Sequence, residues 1–492
     1  MRVSLYFDGA EVPPAEFEDA VLRAASGFER LGVGEGDVVC LMLRNHPAFI
    51  EALFGARRLG AYTCPVNWHF KADEAGWILR DSGARVLVIH ADLLAQVKDG
   101  IPPGVAVVQA DEGTRRAWLA SQPRHAGPER MARYSMPYTS GTTGRPKGIR
   151  RLAPSAADAE RSARALSENV GLVYGLEAGA RALLAAPVYH SAPNMYATQA
   201  VLRGATLHLE SRFDAQRTLQ LIEKEKLTHA YMVPTMFSRM LKLPAETRRR
   251  YDVSSMRFVI IMGSTCAPEV KRAMIDWWGP VINESYAASE LGIVTFITAA
   301  EALARPGSAG RPVAGTRLKI FDNEGRELPP RQVGLIYARN TMYTDFTYVN
   351  NDTARRDLER DGLWTLGDMG WLDEDGYLFL SDRAVDMVIS GGVNIYPAEI
   401  EAALIVMPGV ADCAVFGIPD AEFGESLAAA VQILEGFELN EKEVKDWLAQ
   451  RIAGFKVPRT VVFHDALPRE DSGKIFKRKL RAPYWDKAGR TI

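Results

Sequence analysis

Four cysteines in 492 residues, Cys40, Cys64, Cys266 and Cys413, stand singly. No two are spaced as CxxC, which argues against a zinc ribbon or a dithiol redox motif, and they are expected to be reduced and mostly buried. The eight histidines form no HxxH or HExxH pair, so no structural metal is indicated. No run approaches eighteen uninterrupted apolar residues, and the opening stretch MRVSLYFDGAEVPPAEF has neither a basic nor an apolar leader segment. Charge of one sign is also missing. Lys and Arg total 59 against 61 Asp and Glu, and the densest basic run, Arg248, Arg249 and Arg250, reads as a solvated helix end. These absences predict a cytoplasmic chain with no nucleic-acid partner and no integral membrane segment.

What is present is enough apolar content, 47%, for most of the chain to fold, and a length beyond a single core, so about two or three domains are expected. EFEDAVLRAASGFERL carries apolar residues at helical spacing and leads through a glycine-rich turn into VVCLML, a helix followed by a buried strand. Similar pairs recur: AFIEALFGARRLGA before TCPVN, DEAGWILRDSG before ARVLVIH, FDAQRTLQLIEKEK before THAYMVP, and PEVKRAMIDWWG before PVINESY. Continuous apolar strands alternating with helices predict parallel sheets covered on both faces. The turn GVGEGD precedes its strand, whereas a dinucleotide fingerprint follows one, so it carries no weight. From about Gly307 short strands with turn signals predict a β-rich subdomain, and after Arg383 about 110 residues of mixed strands and helices suit a small separate domain. The expected fold class is α/β: a large N-terminal domain over 1–382 of parallel-sheet layers plus the β-rich subdomain, then a mobile small α+β C-terminal domain over 383–492.

Residues 138–149 read YTSGTTGRPKGI. Glycines let backbone N–H groups approach a ligand, hydroxyls of Thr139, Ser140, Thr142 and Thr143 add donors beside Gly141 and Gly144, and Lys147 brings a point charge, together the chemistry of a polyphosphate cradle. A Walker A loop would need glycine where Pro146 stands. The run resembles the signature of the acyl-adenylate-forming superfamily of acyl-CoA synthetases, peptide-synthetase adenylation domains and beetle luciferases.

The resemblance extends along the chain. ESYAASELG, from Glu284 and Ser285 through Tyr286, Ala287 and Ser289 to Glu290, is similar to the family's YGxTE segment; it implies Tyr286 packing on adenine and Glu290, with Thr142, holding Mg2+ among phosphate oxygens. Ala287 and Ser289 replace the usual Gly and Thr. WTLGD resembles the segment whose aspartate, here Asp368, takes the ribose hydroxyls, and Arg383 matches an arginine that also reaches the nucleotide. LPREDSGK ends on Lys474, in the place of the lysine that neutralises charge as the carboxylate attacks the α-phosphate. SGGVNIYPAEIE is similar to the loop that approaches pantetheine, with Ser390, Gly391 and Gly392 lining a CoA path, and VFGIPDAEFGE resembles a thioester-forming loop of CoA ligases. The family's hinge position holds Val385 here, with Asp386 next to it.

PVYHSAPN resembles the acyl-site segment and puts His190 at a gate between ATP and acyl pockets. No aspartate between Pro187 and Ala200 could hold an α-ammonium, so the resemblance implies a non-amino carboxylate. Val233, Met236, Phe237, Met262, Gly263, Ile293 and Val294 are the acyl-pocket candidates. The implied reaction is a carboxylate–CoA ligation using ATP, Mg2+ and CoA: acyl-AMP and pyrophosphate form first, then thiol displaces AMP. Lys474, Glu290 and His190 are the implied catalytic residues and a small-molecule carboxylic acid the partner; a homodimer is compatible with the sequence. Two rivals stay open, an acyl-AMP ligase that loads a carrier protein and an inactive nucleotide-binding regulator. The acid itself is left among aryl, arylpropenoyl, medium-chain and steroid side-chain types.

Overall fold

The computed structural model describes residues 4–139, 145–154, 159–469 and 475–487. Two parallel sheets organise the first part of the chain. One has four strands in the order Tyr62–Pro65, Val38–Met42, Ala84–Ile89, Ala106–Gln109. Along Val38–Met42 the side chains alternate: Val39 and Leu41 enter the large core shared with the second sheet, while Val38, Cys40 and Met42 pack with Ile78 and Leu79 of helix Ala72–Ser82. Burial on both faces is why this strand reads as an unbroken apolar run.

The second sheet has seven strands, ordered Ile282–Glu284, Phe258–Ile261, His229–Met232, Arg181–Leu184, Thr206–Leu209, Leu5–Phe7, Ala10–Val12. Every pairing is parallel except the last. The antiparallel edge is an N-terminal hairpin whose two-residue loop, Asp8 and Gly9, has positive φ at both positions (48° and 85°), the geometry that an Asp-Gly pair serves best. Helices Pro14–Arg30, Pro47–Arg58, Pro234–Leu241, Pro268–Trp278 and Pro397–Ile405 all start on proline, where its fixed φ fits and its missing N–H costs nothing.

The β-rich part is an eight-stranded, mainly antiparallel sheet built from Thr295–Phe296, Ser308–Pro312, Thr316–Phe321, Gly334–Asn340 and the strands from Glu359 to Arg383. It begins about ten residues earlier than the turn signals predict, because Thr295–Phe296 already pairs with Ser308–Pro312. A small three-stranded sheet joins Tyr138–Thr139, Lys147–Arg151 and Phe346–Tyr348. The last part is a five-stranded sheet around the long hairpin Val410–Asp420 and Gly424–Ile433, with helices Pro397–Ile405, Glu441–Ala449 and Lys477–Lys487. Helix Glu441–Ala449 opens on a capping box from Asn440 and Glu443; the sequence period predicts it one turn longer, from Glu441 to Ile452. The final helix has no counterpart in the sequence reading; its basic start, KRK, and internal Pro483 conceal it. Among the described residues no helix is long and apolar enough to cross a membrane.

Candidate active site

The strand Lys147–Arg151 follows the glycine-rich run and forms the middle of the three-stranded sheet. Lys147 pairs with Thr139 across one edge, and its Nζ lies 5.2 Å from the centre of the Tyr348 ring. At the far end, Arg151 is buried. Its guanidinium donates to the carbonyls of Ser289 (2.9 Å), Glu290 (2.8 Å) and Thr344 (2.8 Å), and it lies 4.8 Å from the Tyr343 ring centre. One buried cation thus ties the strand after the glycine-rich run to the turn that carries Ser289 and Glu290.

That turn is a small hairpin in which Ala287 pairs with Ile293 and Ala288 with Gly292. Gly292 has φ 73°, and a Cβ there would stand 2.5 Å from the Tyr343 ring, so glycine is required by both backbone and space. Glu290 points inward. Its Oε1 accepts from Tyr348 Oη at 2.9 Å and faces Thr139 Oγ1 at 3.5 Å, and burial raises its carboxyl pKa above the usual range against the opposing pull of those partners. Ser289 Oγ meets Ser191 Oγ at 2.6 Å.

Four residues before Glu290, Tyr286 Oη donates to Asp368 Oδ2 at 2.7 Å, and Arg383 Nε lies 3.4 Å from Asp368 Oδ1. Asp368 and Arg383 face each other as cross-strand partners, so sheet register rather than sequence spacing brings them together. Glu284 and Ser285 are placed differently. The Glu284 carboxylate is ion-paired with buried Lys271, and Ser285 Oγ donates to the Thr295 carbonyl at 2.7 Å, which commits both side chains to the protein.

His190 stands at the N-cap position of helix Ser191–Leu202 without a side-chain cap bond, its ring 4.2 Å from that of Tyr189. The preceding segment is held by buried Asn45, whose Oδ1 accepts from Val188 N at 2.9 Å and whose Nδ2 donates to the Ala186 carbonyl at 3.0 Å. Of the acyl-pocket candidates, Val233, Met236, Phe237, Met262 and Ile293 pack in one core, and a Cβ built on Gly263 would stand 3.8 Å from Val233 Cγ1. Val294 is turned into a different cluster with Ile149, Phe346 and Trp364.

Ser390 and Val393 pair across a two-residue loop, Gly391 and Gly392, with φ of 57° and 80°. Positive φ at both positions of such a hairpin by itself calls for glycine. The Val385 carbonyl accepts from Arg481 of the last helix at 3.1 Å. Ser140, Gly141, Thr142, Thr143, Gly144 and Lys474 lie outside the described residues.

Sequence reading misses Arg151, Tyr348 and Ser191. Arg151 is hidden among the basic residues of its strand, KGIRR, and Tyr348 reaches the site only through long-range pairing, while Ser191 stands next to His190 in PVYHSAPN without a local mark of its own.

The description "AMP-binding enzyme" matches residues 2–344 and "AMP-binding enzyme C-terminal domain" matches residues 399–474. The feruloyl-CoA synthase of an Amycolatopsis species is 34% identical over 96% of this chain and 94% of its own length. The fatty acid–acyl-carrier-protein ligase ScoC of Streptomyces coeruleorubidus is 33% identical over 96% and 91%. Among solved structures, ATP-bound MatB from Rhodopseudomonas palustris superimposes with a TM-score of 0.85 at 25% identity, covering 99% of this chain and 96% of that one. The α/β layers, the C-terminal sheet and a nucleotide-binding site are therefore shared, and the chain belongs to the AMP-binding enzyme family, in its acyl-CoA synthetase branch.

Proposed function

We propose that the chain is a carboxylate–CoA ligase that makes acyl-AMP and pyrophosphate from an acid and MgATP, then acyl-CoA and AMP. The observation that carries this reading is the convergence on one hairpin of the buried Glu290 carboxylate and the Tyr286–Asp368–Arg383 chain. Asp368, fixed by Tyr286 on one oxygen, accepts the ribose hydroxyls; Arg383 balances its charge and reaches the nucleotide. The Tyr286 ring faces adenine with Ala287 beside it. Lys147 and the 139–144 run hold the phosphates, and Lys474 stabilises charge during attack. Glu284 and Ser285 contribute by anchoring the base of the hairpin.

Glu290 fits a hard cation. A carboxylate pushed toward its neutral form by burial, with a hydroxyl at hand from Thr139, gains most from a divalent charge beside it. Mg2+ would be held there by Glu290 together with phosphate oxygens and Thr142, and would neutralise charge on the departing pyrophosphate. His190, at the head of its helix next to the Ser191 that meets Ser289, separates nucleotide from acid. Little proton transfer is needed in the first step, so orientation and charge stabilisation supply the catalysis.

In the second step residues 383–492 act as a lid that swivels near Val385, and the Ser390, Gly391 and Gly392 turn borders the CoA path. The substrate is a small non-amino carboxylic acid handled in the cytoplasm. The similarity to ScoC supports one second reading, transfer to a carrier-protein arm, which presents the same pantetheine thiol. A panel of acids scored for AMP release with CoA, with holo-carrier protein and with neither tests the proposal. AMP release stimulated by CoA is expected; product only with holo-carrier protein establishes the second reading, and no pyrophosphate exchange with any acid indicates an inactive nucleotide-binding regulator.

A further inference from the structure

Helix Ala72–Ser82 serves the protein with two faces. Ile78 and Leu79 are buried against the four-stranded sheet. Trp77 and Asp81, four residues apart and so neighbours one turn from each other, reach the three-stranded sheet instead. Trp77 Nε1 donates to the Pro146 carbonyl at 3.3 Å, and the Arg145 guanidinium lies 4.6 Å from the Trp77 ring centre. Asp81 Oδ2 accepts from Tyr138 Oη at 2.7 Å, while Asp81 Oδ1 and the Asp81 carbonyl each accept from Asn350 Nδ2 at 3.1 Å.

These partners belong to all three strands of that sheet. Tyr138 opens Tyr138–Thr139, Pro146 directly precedes Lys147–Arg151, and Asn350 follows Phe346–Tyr348. Between the anchored points Thr139 and Lys147 sit opposite each other, Thr139 facing Glu290 and Lys147 lying over the Tyr348 ring. The Tyr138 ring packs on Gly148, where a Cβ would stand 2.5 Å from it, so a shift of the ring moves the strand that carries Lys147. Burial, then Cys64 and Asp81, raise the Tyr138 pKa above its ordinary value, which keeps the hydroxyl a donor. Apolar packing already attaches the helix to the four-stranded sheet. A directed N–H and a carboxylate aimed at the two flanks of the glycine-rich run fix distances and angles as well.

We propose that Trp77 and Asp81 are positioning residues for the pyrophosphate portion of ATP, acting through Pro146 and Tyr138 to hold Lys147 and Thr139 at a fixed separation. Neither touches the nucleotide. The inference rests on the reading above in which Lys147 and Thr139 hold the phosphates, and a cation placed in advance binds them without the cost of being ordered on arrival.

Calorimetric titration of the full chain with MgATP and, separately, with AMP tests this without any acid, because AMP lacks the β- and γ-phosphates. Trp77→Phe keeps an aromatic ring beside Arg145 and loses the bond to Pro146; Asp81→Asn cannot accept from both Tyr138 and Asn350 through its side chain. Each is expected to weaken MgATP by about 3- to 10-fold while the Kd for AMP stays within about two-fold of wild type. Ile78→Val, which thins the packing under the same helix, is the structural control: it should lower the unfolding midpoint and leave both Kd values within about two-fold. Equal weakening of MgATP and AMP in the two variants, no weakening of either nucleotide, or a selective loss of MgATP in Ile78→Val as well would overturn the proposal and leave the ligase reading standing. Wild type that binds AMP as tightly as MgATP removes the phosphate role of Lys147, and wild type that binds neither fails the ligase reading; this inference falls with each.

Discussion

Arg151 shows how much of this site depends on a residue that touches no substrate in the proposed mechanism. A buried guanidinium with three carbonyl acceptors is satisfied without a carboxylate partner, and two of those carbonyls belong to Ser289 and Glu290. Burial lowers its pKa from the ordinary arginine value, and a guanidinium keeps its charge inside a protein. Lysine in its place keeps the charge but presents one nitrogen where a planar fork reaches carbonyls on two segments. Each charge-assisted bond contributes about 1.5 to 3 kcal/mol. Arg151→Lys is therefore expected to cost about 2 to 4 kcal/mol of stability in urea unfolding and to slow exchange of labelled pyrophosphate into ATP by more than about 10-fold, since Glu290 loses its fixed position. An exchange rate equal to wild type would show that the clamp does not position Glu290. Tyr348 belongs to the same logic: its hydroxyl fixes Glu290, and its ring lies under Lys147.

At the scale of elements, two short hairpins obey one rule. Asp8-Gly9 and Gly391-Gly392 each fill a two-residue loop with positive φ at both positions. The glycines of the second therefore answer to the backbone as well as to any thiol-bearing arm, and a bulky residue at Gly392 would confuse the two demands. Asparagine separates them, because it tolerates positive φ yet carries a side chain, and nothing within 4 Å of Gly392 obstructs one. Gly392→Asn is expected to change stability by less than about 0.5 kcal/mol while raising KM for CoA in the second half-reaction. Unchanged CoA kinetics would remove this turn from the path. Gly391→Ala should instead lower the unfolding midpoint, because φ is 57° and its Cβ would press to 2.9 Å on Phe423. The helix and strand pairs of the parallel sheets were legible in the sequence because their apolar periods are set by burial along one element. Arg151 over Glu290 and Asp368 beside Arg383 depend on which strands become neighbours, and that is written in no local window. The Asp8-Gly9 turn carries a local hairpin signal that the sequence analysis left unused, whereas the strand Leu5–Phe7 joining the central sheet beside Thr206–Leu209 carries none.

For the molecule as a whole, that N-terminal strand places a titratable group in the central sheet. His208 is buried opposite Tyr6, their rings parallel at 4.6 Å, with Arg181 and Glu225 as its charged neighbours. Neither ring nitrogen has a hydrogen-bond partner among the described residues, and burial first, then Arg181, lowers its pKa from 6.5 to about 4. His46 is lowered likewise to about 4, by burial and then by His90, and its Nδ1 must stay unprotonated to accept from Ala48 N at 3.1 Å and cap helix Pro47–Arg58. Between pH 6.5 and 4 the unfolded chain therefore binds protons that the folded chain refuses, so stability is full above about 6.5 and is lost as pH falls through this window, by at most about 3 kcal/mol for each histidine. His208→Phe keeps the stack on Tyr6 and removes the proton site. Urea unfolding at pH 7.5 and pH 5.0 is expected to show a smaller loss in the variant than in wild type, by about 1 to 2 kcal/mol, because only part of the window has been crossed at pH 5. Equal losses in the two proteins would mean that His208 takes up its proton in the folded state as readily as in the unfolded one, and the acid sensitivity would then fall to the His46 cap, where His46→Asn, which keeps an acceptor at that position without a titrating ring, should abolish it.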